Sequence, residues 1–300
     1  MEYDGAPGTK LWRRMKNQAR RRLKPVPSSP DSGRVGAFSW SLDTNGVLTL
    51  SGRGPLDCPD GNPWNHGAVT AIVLRDGASA VGPWVFSGHR NLKRVELPDS
   101  LTEIGDGAFL SCKSLLSVRT PAGLRSIGDG AFSDCGSLSD FVIPSGVGRV
   151  GAEAFRDCKS LTSVAIPKGV TQIGAFTFAF CKSLTSVSIP DAVTNIDGSA
   201  FAFCENLTQI RFPASLKRIG DFAFQFSALE AVGIPEGVTE IGEFAFQFCE
   251  RLQRVALPDS VTKIGDWAFK NCGKLERVSV ATGTVIGMGA FDRDVTIIKR

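Results

Sequence analysis

Residues 161–183 read LTSVAIPKGVTQIGAFTFAFCKS. The same pattern, LxxVxIPxxVxxIGxxAFxxCxx, returns in units that begin at Val69, Leu92, Leu115, Leu138, Leu161, Leu184, Leu207, Leu229 and Leu252, with a degenerate copy at Leu275. The spacing is 23 residues, shortened to 22 between Leu207 and Leu229. Self-similarity at this period marks a stacked array, in which each unit buries its apolar side only against its neighbours. With the first residue of each unit as position 1, each column of the pattern has a physical meaning.

Positions 1, 4 and 6 (Leu161, Val164, Ile166) are apolar, and their period-2 end predicts a short strand with Val and Ile on one face. Position 7 is Pro in eight units, from Pro98 to Pro258. Proline lacks the N–H a ladder needs, so strand pairing must end there in every coil. Val170 and Ile173, positions 10 and 13, predict a second short strand on the opposite side. Position 14 is Gly in most units, which predicts a recurrent left-handed corner. Position 18 is Phe in all nine full units, from Phe86 to Phe269, with Phe291 in the last; these rings form an internal spine. Position 21 is Cys in seven units (Cys112, Cys135, Cys158, Cys181, Cys204, Cys249, Cys272), with His89 and Ser227 in the same slot. One Cys per coil at one structural place reads as buried free thiols rather than a disulfide framework. Zinc would need clustered ligands of the C-x2-C kind, which the sequence lacks.

The fold expected is therefore a β-rich solenoid, a right-handed array of about ten 23-residue coils with parallel strands joined by short turns or 3-10 segments, over residues 69–300. Residues 35–68 form its N-terminal cap: apolar alternation flanks Thr44-Asn45-Gly46, a hairpin signal with a type I′ turn, and a Gly/Pro-rich loop leads to Trp64. A cap is required because an open solenoid end exposes core and strand edge. Residues 1–34 hold nine Lys and Arg against three acids, a charge of +6 that exceeds the formal net charge of +4, so the body sums to −2 and is near neutral. It reads as a disordered basic tail, with a short basic helix over 10–23 (apolar points Leu11, Met15, Leu23) as the alternative; contact with nucleic acid or an anionic membrane is a minor reading. No apolar run is long enough for a spanning helix. No apolar stretch follows the N-terminal charges, so no secretory signal is read and a cytoplasmic location is expected. A cell-surface or secreted location is the alternative if the N-terminus is incomplete.

The consensus resembles the bacterial-surface-antigen type of leucine-rich repeat, the BspA-like or Treponema pallidum-type class, over about residues 69–291. WSLDTNGVLTLSG with Pro63-Trp64 also looks like the cap that precedes such repeats. Position 9 is Gly169, Gly146, Ser100 or Ser260, where the common leucine-rich consensus has Asn or Cys, so no asparagine ladder is expected. The resemblance implies a protein-interaction scaffold or adhesin, often surface-exposed, with no catalytic residues.

No acid, base and nucleophile converge in the sequence, and no cofactor or metal site is read. Gly105-Asp106-Gly107 and Gly128-Asp129-Gly130 lack the strand-turn-helix context of a phosphate loop. The acids near position 15 (Asp106, Asp129, Glu153, Asp221, Glu243, Asp266) read as solvated turns, because single carboxylates a coil apart lack the oxygen shell of a calcium site. Two surfaces then compete for a protein partner. The outward strand positions carry Lys93, Arg94, Glu96, Arg119, Arg211, Arg254 and Arg277. Positions 16 and 20 carry a run of aromatics, Phe176, Phe180, Phe203, Phe222, Phe226, Phe244, Phe248 and Trp267, where earlier units have Gly107, Gly130, Ser111 or Asp134. These rings either cover the spine by stacking on each other or form an apolar strip for a partner or a second copy. The leading reading is a protein-binding scaffold; the alternative is a self-associating structural or surface protein.

The spine makes a first prediction. Phe201→Ala should lower stability by about 3–5 kcal/mol, the usual cost of emptying a core Phe site, as read by denaturant unfolding; an unchanged midpoint would show the register to be wrong.

Overall fold

The computed structural model describes residues 13–15, 17, 32–64 and 67–300. The chain falls into two compact units, Met1–Leu161 and Thr162–Arg300, and each is a β-solenoid. Among the described residues only 13–15 and 17 are helical, so no helix is long and apolar enough to cross a membrane.

In the first unit the cap is a three-stranded antiparallel meander, β1 (Ser32–Val35), β2 (Phe38–Leu42) and β3 (Val47–Ser51), followed by β4 (Gly54–Leu56). β1 thus reaches into the stretch assigned to the tail. The first full coil supplies β5 (Ala71–Leu74) and β6 (Ala78–Val81). β3 pairs in parallel with β5, and β4 with β6, so the cap extends both sheets as a coil would. Leu48, Leu50 and Leu56 are fully buried, and Trp64 heads the aromatic spine 5.7 Å from Phe86. The predicted hairpin forms, but with a different turn. Only Gly46 takes positive φ, and the Asp43 carboxylate accepts the N–H groups of Asn45 (2.9 Å) and Val47 (2.8 Å). Capping by Asp43 holds Asn45 out of the left-handed region that a type I′ turn needs.

Each regular coil has three sides. Three-residue strands at positions 3–5 build one sheet, as in Arg94–Glu96 beside Ser117–Arg119, or Ala231–Gly233 beside Arg254–Ala256. Position 7 then turns the chain: all eight prolines accept the N–H of position 10 across 3.0–3.3 Å. Two-residue strands at positions 12–13 build the second sheet, from Ala78–Val81 to Arg149–Val150 in the first unit and from Gln172–Ile173 to Val285–Ile286 in the second. The third side has no strands. Its N–H groups at positions 16, 18 and 20 donate to the carbonyls of positions 15, 17 and 19 one coil on, as Gly107 to Asp129, Phe109 to Ala131 and Ser111 to Ser133, at 2.8–2.9 Å. The position-18 rings stack inside, 5.2–5.6 Å apart from Phe86 to Phe155 and 5.0–5.5 Å apart from Phe178 to Phe291.

Two coils break the strand face. Phe141 takes inward position 4, where other coils have Val or Ile, and lies 4.7 Å and 4.9 Å from the rings of Phe132 and Phe155. Phe212 takes inward position 6 against Phe224 at 5.5 Å. A ring needs more depth than Val or Ile, so it lifts the backbone from the ladder: the first coil keeps one bridge, Ser117 to Asp140, and the second has no strand.

The glycine at position 14 is not a left-handed corner, because none of these glycines has positive φ. Close approach of the preceding coil selects it. A Cβ on Gly128 would meet Asp106 Oδ1 at 2.5 Å and Asp106 N at 2.6 Å; Gly151, Gly242 and Gly287 repeat this against Asp129, Asp221 and Asp266. The space a Cβ would take lets the carboxylate reach a backbone N–H of the next coil: Asp106 accepts from Asp129 (2.8 Å), Asp129 from Ala152 (3.2 Å), Asp221 from Glu243 (3.0 Å) and Asp266 from Met288 (2.7 Å). Four of the acids read from sequence as solvated turns, Asp106, Asp129, Asp221 and Asp266, are therefore an aspartate ladder that caps the next coil, while Glu153 is buried against Arg156. Gly128→Ala should destabilise by about 1–3 kcal/mol, the cost of overpacking, and by more than Asp106→Ala, whose lost hydrogen bond is worth about 1–2 kcal/mol. Urea titration of both variants checks the order; equal midpoints would place the glycine's role elsewhere.

Candidate functional site

The third side has an unusual backbone. Positions 16 and 20 lie in the left-handed region in coil after coil, occupied by Gly88, Gly107, Gly130 and Gly289 but also by Trp84, Ser111, Asp134, Glu153, Asp157, Ser199 and Asn271. All eight predicted aromatics belong to this set, with φ between 54° and 62°. For a side chain with a Cβ this costs about 1–2 kcal/mol. Two features offset it: the inter-coil hydrogen bonds already described, and ring stacking worth about 0.5–1.5 kcal/mol per pair. Phe180, Phe203, Phe226 and Phe248 form one column at 4.4–4.7 Å, and Phe222, Phe244 and Trp267 a second at 4.6–5.0 Å. Phe176 is buried and the rest are half-buried. Most of the predicted strip is thus engaged with itself. Trp84, at position 16 of the first full coil, belongs to the same class and is missing from the sequence-level strip. The signal was there: its column position is set by the same register that fixes Phe222.

The strand face differs. Lys93, Arg94, Glu96, Arg119, Arg211, Arg254 and Arg277 are all exposed. In the first unit Arg94 aligns with Ser117 and Glu96 with Arg119, so Lys93, Arg94, Glu96 and Arg119 share one surface. In the second unit Arg211 lies on the strandless coil, while Arg254 and Arg277 come together. Strands Arg254–Ala256 and Arg277–Val280 pair only at Ala256 and Ser279. Their N-terminal ends splay around an open cleft of about 860 Å³, lined by Gln253, Arg254, Lys274, Glu276, Arg277 and Ile298 among others. Three cations, Arg254, Lys274 and Arg277, and one acid, Glu276, stand on its lining.

The interior columns are polar where the backbone demands it. All eight cysteines are buried free thiols. Those at position 21 donate S–H to the position-18 carbonyl one coil back, as Cys112 to Phe86 (3.1 Å) and Cys135 to Phe109 (3.2 Å). Burial pushes the Cys249 thiol up to about 12 and raises those of Cys112, Cys135, Cys204 and Cys272 well above the usual thiol range, so each stays protonated to donate. The slot is more than a small apolar filling. His89 fills it with the same duty: fully buried, it donates Nδ1–H to the Phe86 carbonyl (2.8 Å) and accepts Trp64 Nε1–H at Nε2 (2.9 Å), which binds cap to coil. His66 lies outside the described residues. One buried ion pair breaks the pattern. Glu153, at position 16, meets Arg156 at 3.2 Å, both almost fully buried.

Parallel strands repeating every 23 residues around a leucine- and phenylalanine-lined interior define a leucine-rich-repeat solenoid. The chain belongs to the BspA type leucine rich repeat region family, whose repeats match residues 64–184 and 171–298 in six copies. No curated protein matches it in sequence. Among solved structures it is similar to a leucine-rich repeat protein of Bacteroides ovatus (24% identity, 89% of this chain and 90% of that one, TM-score 0.61). It is also similar to a leucine rich cell surface protein of Faecalibacterium prausnitzii (26% identity, 90% and 95%, TM-score 0.53) and to the T. pallidum leucine-rich repeat protein (28% identity, 73% and 90%, TM-score 0.50).

Desolvation raises the Glu153 carboxyl from its ordinary 4.5 to about 7, with Arg156 pulling the other way. Folding therefore takes up a proton at this site. The contribution is complete below about pH 4.5 and is lost as pH rises through about 7. Glu153→Gln, which fixes the neutral form, should flatten the fall in stability between pH 4.5 and about 7, measured as denaturation midpoints against pH. An unchanged slope would mean that Arg156 holds the carboxylate ionised.

Proposed function

We propose that the chain is a non-catalytic protein-binding module that contacts its partner through the outward strand face, with the cleft at Arg254 and Arg277 receiving carboxylates of an acidic partner segment. The observation that carries this reading is the splaying of two strands around three cations on a face whose other side chains are exposed and unstacked. A solenoid presents such a face as one extended surface, and charge there governs capture rate and partner choice. The aromatic columns support this choice by contrast, since their rings already pack on each other. The cell-surface protein of F. prausnitzii shares the architecture, and surface display is a setting in which this face would meet partners. Self-association through the aromatic columns is the competing use.

Full-length protein used as bait, followed by affinity measurement with the captured partner, tests the assignment. Arg254→Glu/Arg277→Glu should weaken binding at least about tenfold, or about 1.4 kcal/mol, and the wild-type affinity should fall with added salt. Phe222→Ser/Phe244→Ser should leave it within about twofold. Full affinity in the arginine variant, or a concentration-dependent rise in mass abolished by the phenylalanine variant, would transfer the function to the aromatic columns.

A further inference from the structure

The third side follows a simple rule where it carries tryptophan. The Trp84 ring lies over Gly107, where a Cβ would come within 2.3 Å of it, and Trp267 lies over Gly289, where a Cβ would come within 3.0 Å. Each ring occupies the space that a glycine at position 16 leaves open one coil on. Gly130 breaks this rule. It follows another glycine, Gly107, so no ring of the array lies above it. The atom found there is Met15 Cε, which a Cβ on Gly130 would approach to 1.7 Å. Met15 is 3% exposed and packs against Leu110 and Trp84. Leu110 fits the same picture: it is buried at position 19, a column held elsewhere in this unit by Ser87, Ser133 and Arg156.

Trp84, Gly107, Leu110 and Gly130 therefore form an apolar slot one side chain wide, and its occupant comes from outside the array. Arg13, Arg14 and Asn17 around Met15 are exposed. Residues 13–15 and 17 are helical, so the occupant is a short stretch with exposed arginines, anchored by one unbranched thioether. That residue type suits an irregular gap beside an indole, because it bends at three bonds and makes favourable sulfur–aromatic contact.

We propose that this slot is a binding site for a basic segment with a central Met, and that Met15, flanked by the exposed Arg13, Arg14 and Asn17, fills it in cis as a strap. One buried side chain is a weak anchor by itself, so the strap is held by tethering as much as by contact and exchanges with a free segment of the same chemistry. Lifting the strap uncovers Trp84.

A fluorescently labelled peptide of residues 9–23 is the probe, and full-length protein is the receptor. Met15→Asp empties the slot, so the peptide should bind that variant at least about tenfold more tightly than wild type. Adding Gly130→Phe to Met15→Asp should abolish the gain. The backbone admits that change, since Phe222 and Phe244 occupy the same position at φ 60° and 56°, and circular dichroism confirms that the variant folds. A peptide carrying Met15→Asp should not bind. Equal binding to wild type and Met15→Asp, binding that survives Gly130→Phe, or binding by the Met15→Asp peptide would each overturn the proposal and reduce the contact to charge attraction.

Discussion

A parallel ladder fixes the distance between successive coils at about 4.8 Å, and every other feature of this protein is fitted to that distance. Aromatic rings stack at almost the same separation, so one Phe per coil fills the interior without adjustment, at 5.0–5.6 Å. A thiol reaches the carbonyl one coil back, and a carboxylate the N–H one coil on. Each column repeats a contact that works at this one spacing. The exceptions to each column are substitutions that still span it: His89 for Cys, bridging to Trp64, and Ser227 for Cys, bonded to Cys249.

The same spacing explains where the sequence could be read and where it could not. The spine, the paired strands and the capping role of residues around Trp40–Trp64 follow from periodicity and alternation alone, because they depend on residue type at one position. Contacts between coils are another matter. Glycine at position 14 looks the same in sequence whether it answers to φ or to a neighbour, and only the position of the Asp106 carboxylate shows which. Phe222 and Phe244 could be read from the sequence as stacked rings or as an apolar strip, and the 4.6 Å separation of these rings decides for stacking. Met15 carried the least signal, since its partners lie some ninety residues further along the chain. The strand-face cations were legible as exposed, but the cleft between Arg254 and Arg277 depends on how two strands part.

Strain is distributed with similar economy. The left-handed positions on the third side are spread over both units rather than gathered at one place. Side chains with something to gain there, rings that stack or polar groups that bond along the column such as Ser111 to Asp134 at 2.9 Å, take the positions that glycine would otherwise hold. Backbone strain on this side therefore marks construction, and the functional reading rests on the strand face and on the slot at Gly130.

Phe141 and Phe212 have a further consequence. A lattice of identical coils has translational degeneracy: a ligand that fits at one place fits equally well one coil along, and it slides. Each bulky ring interrupts the strand face within its unit and leaves a flaw in the lattice, with Val142 standing out beside the first. Such flaws act as graduation marks on a ruler. They give a repetitive surface an origin, so that a partner can be registered at one address rather than at many equivalent ones.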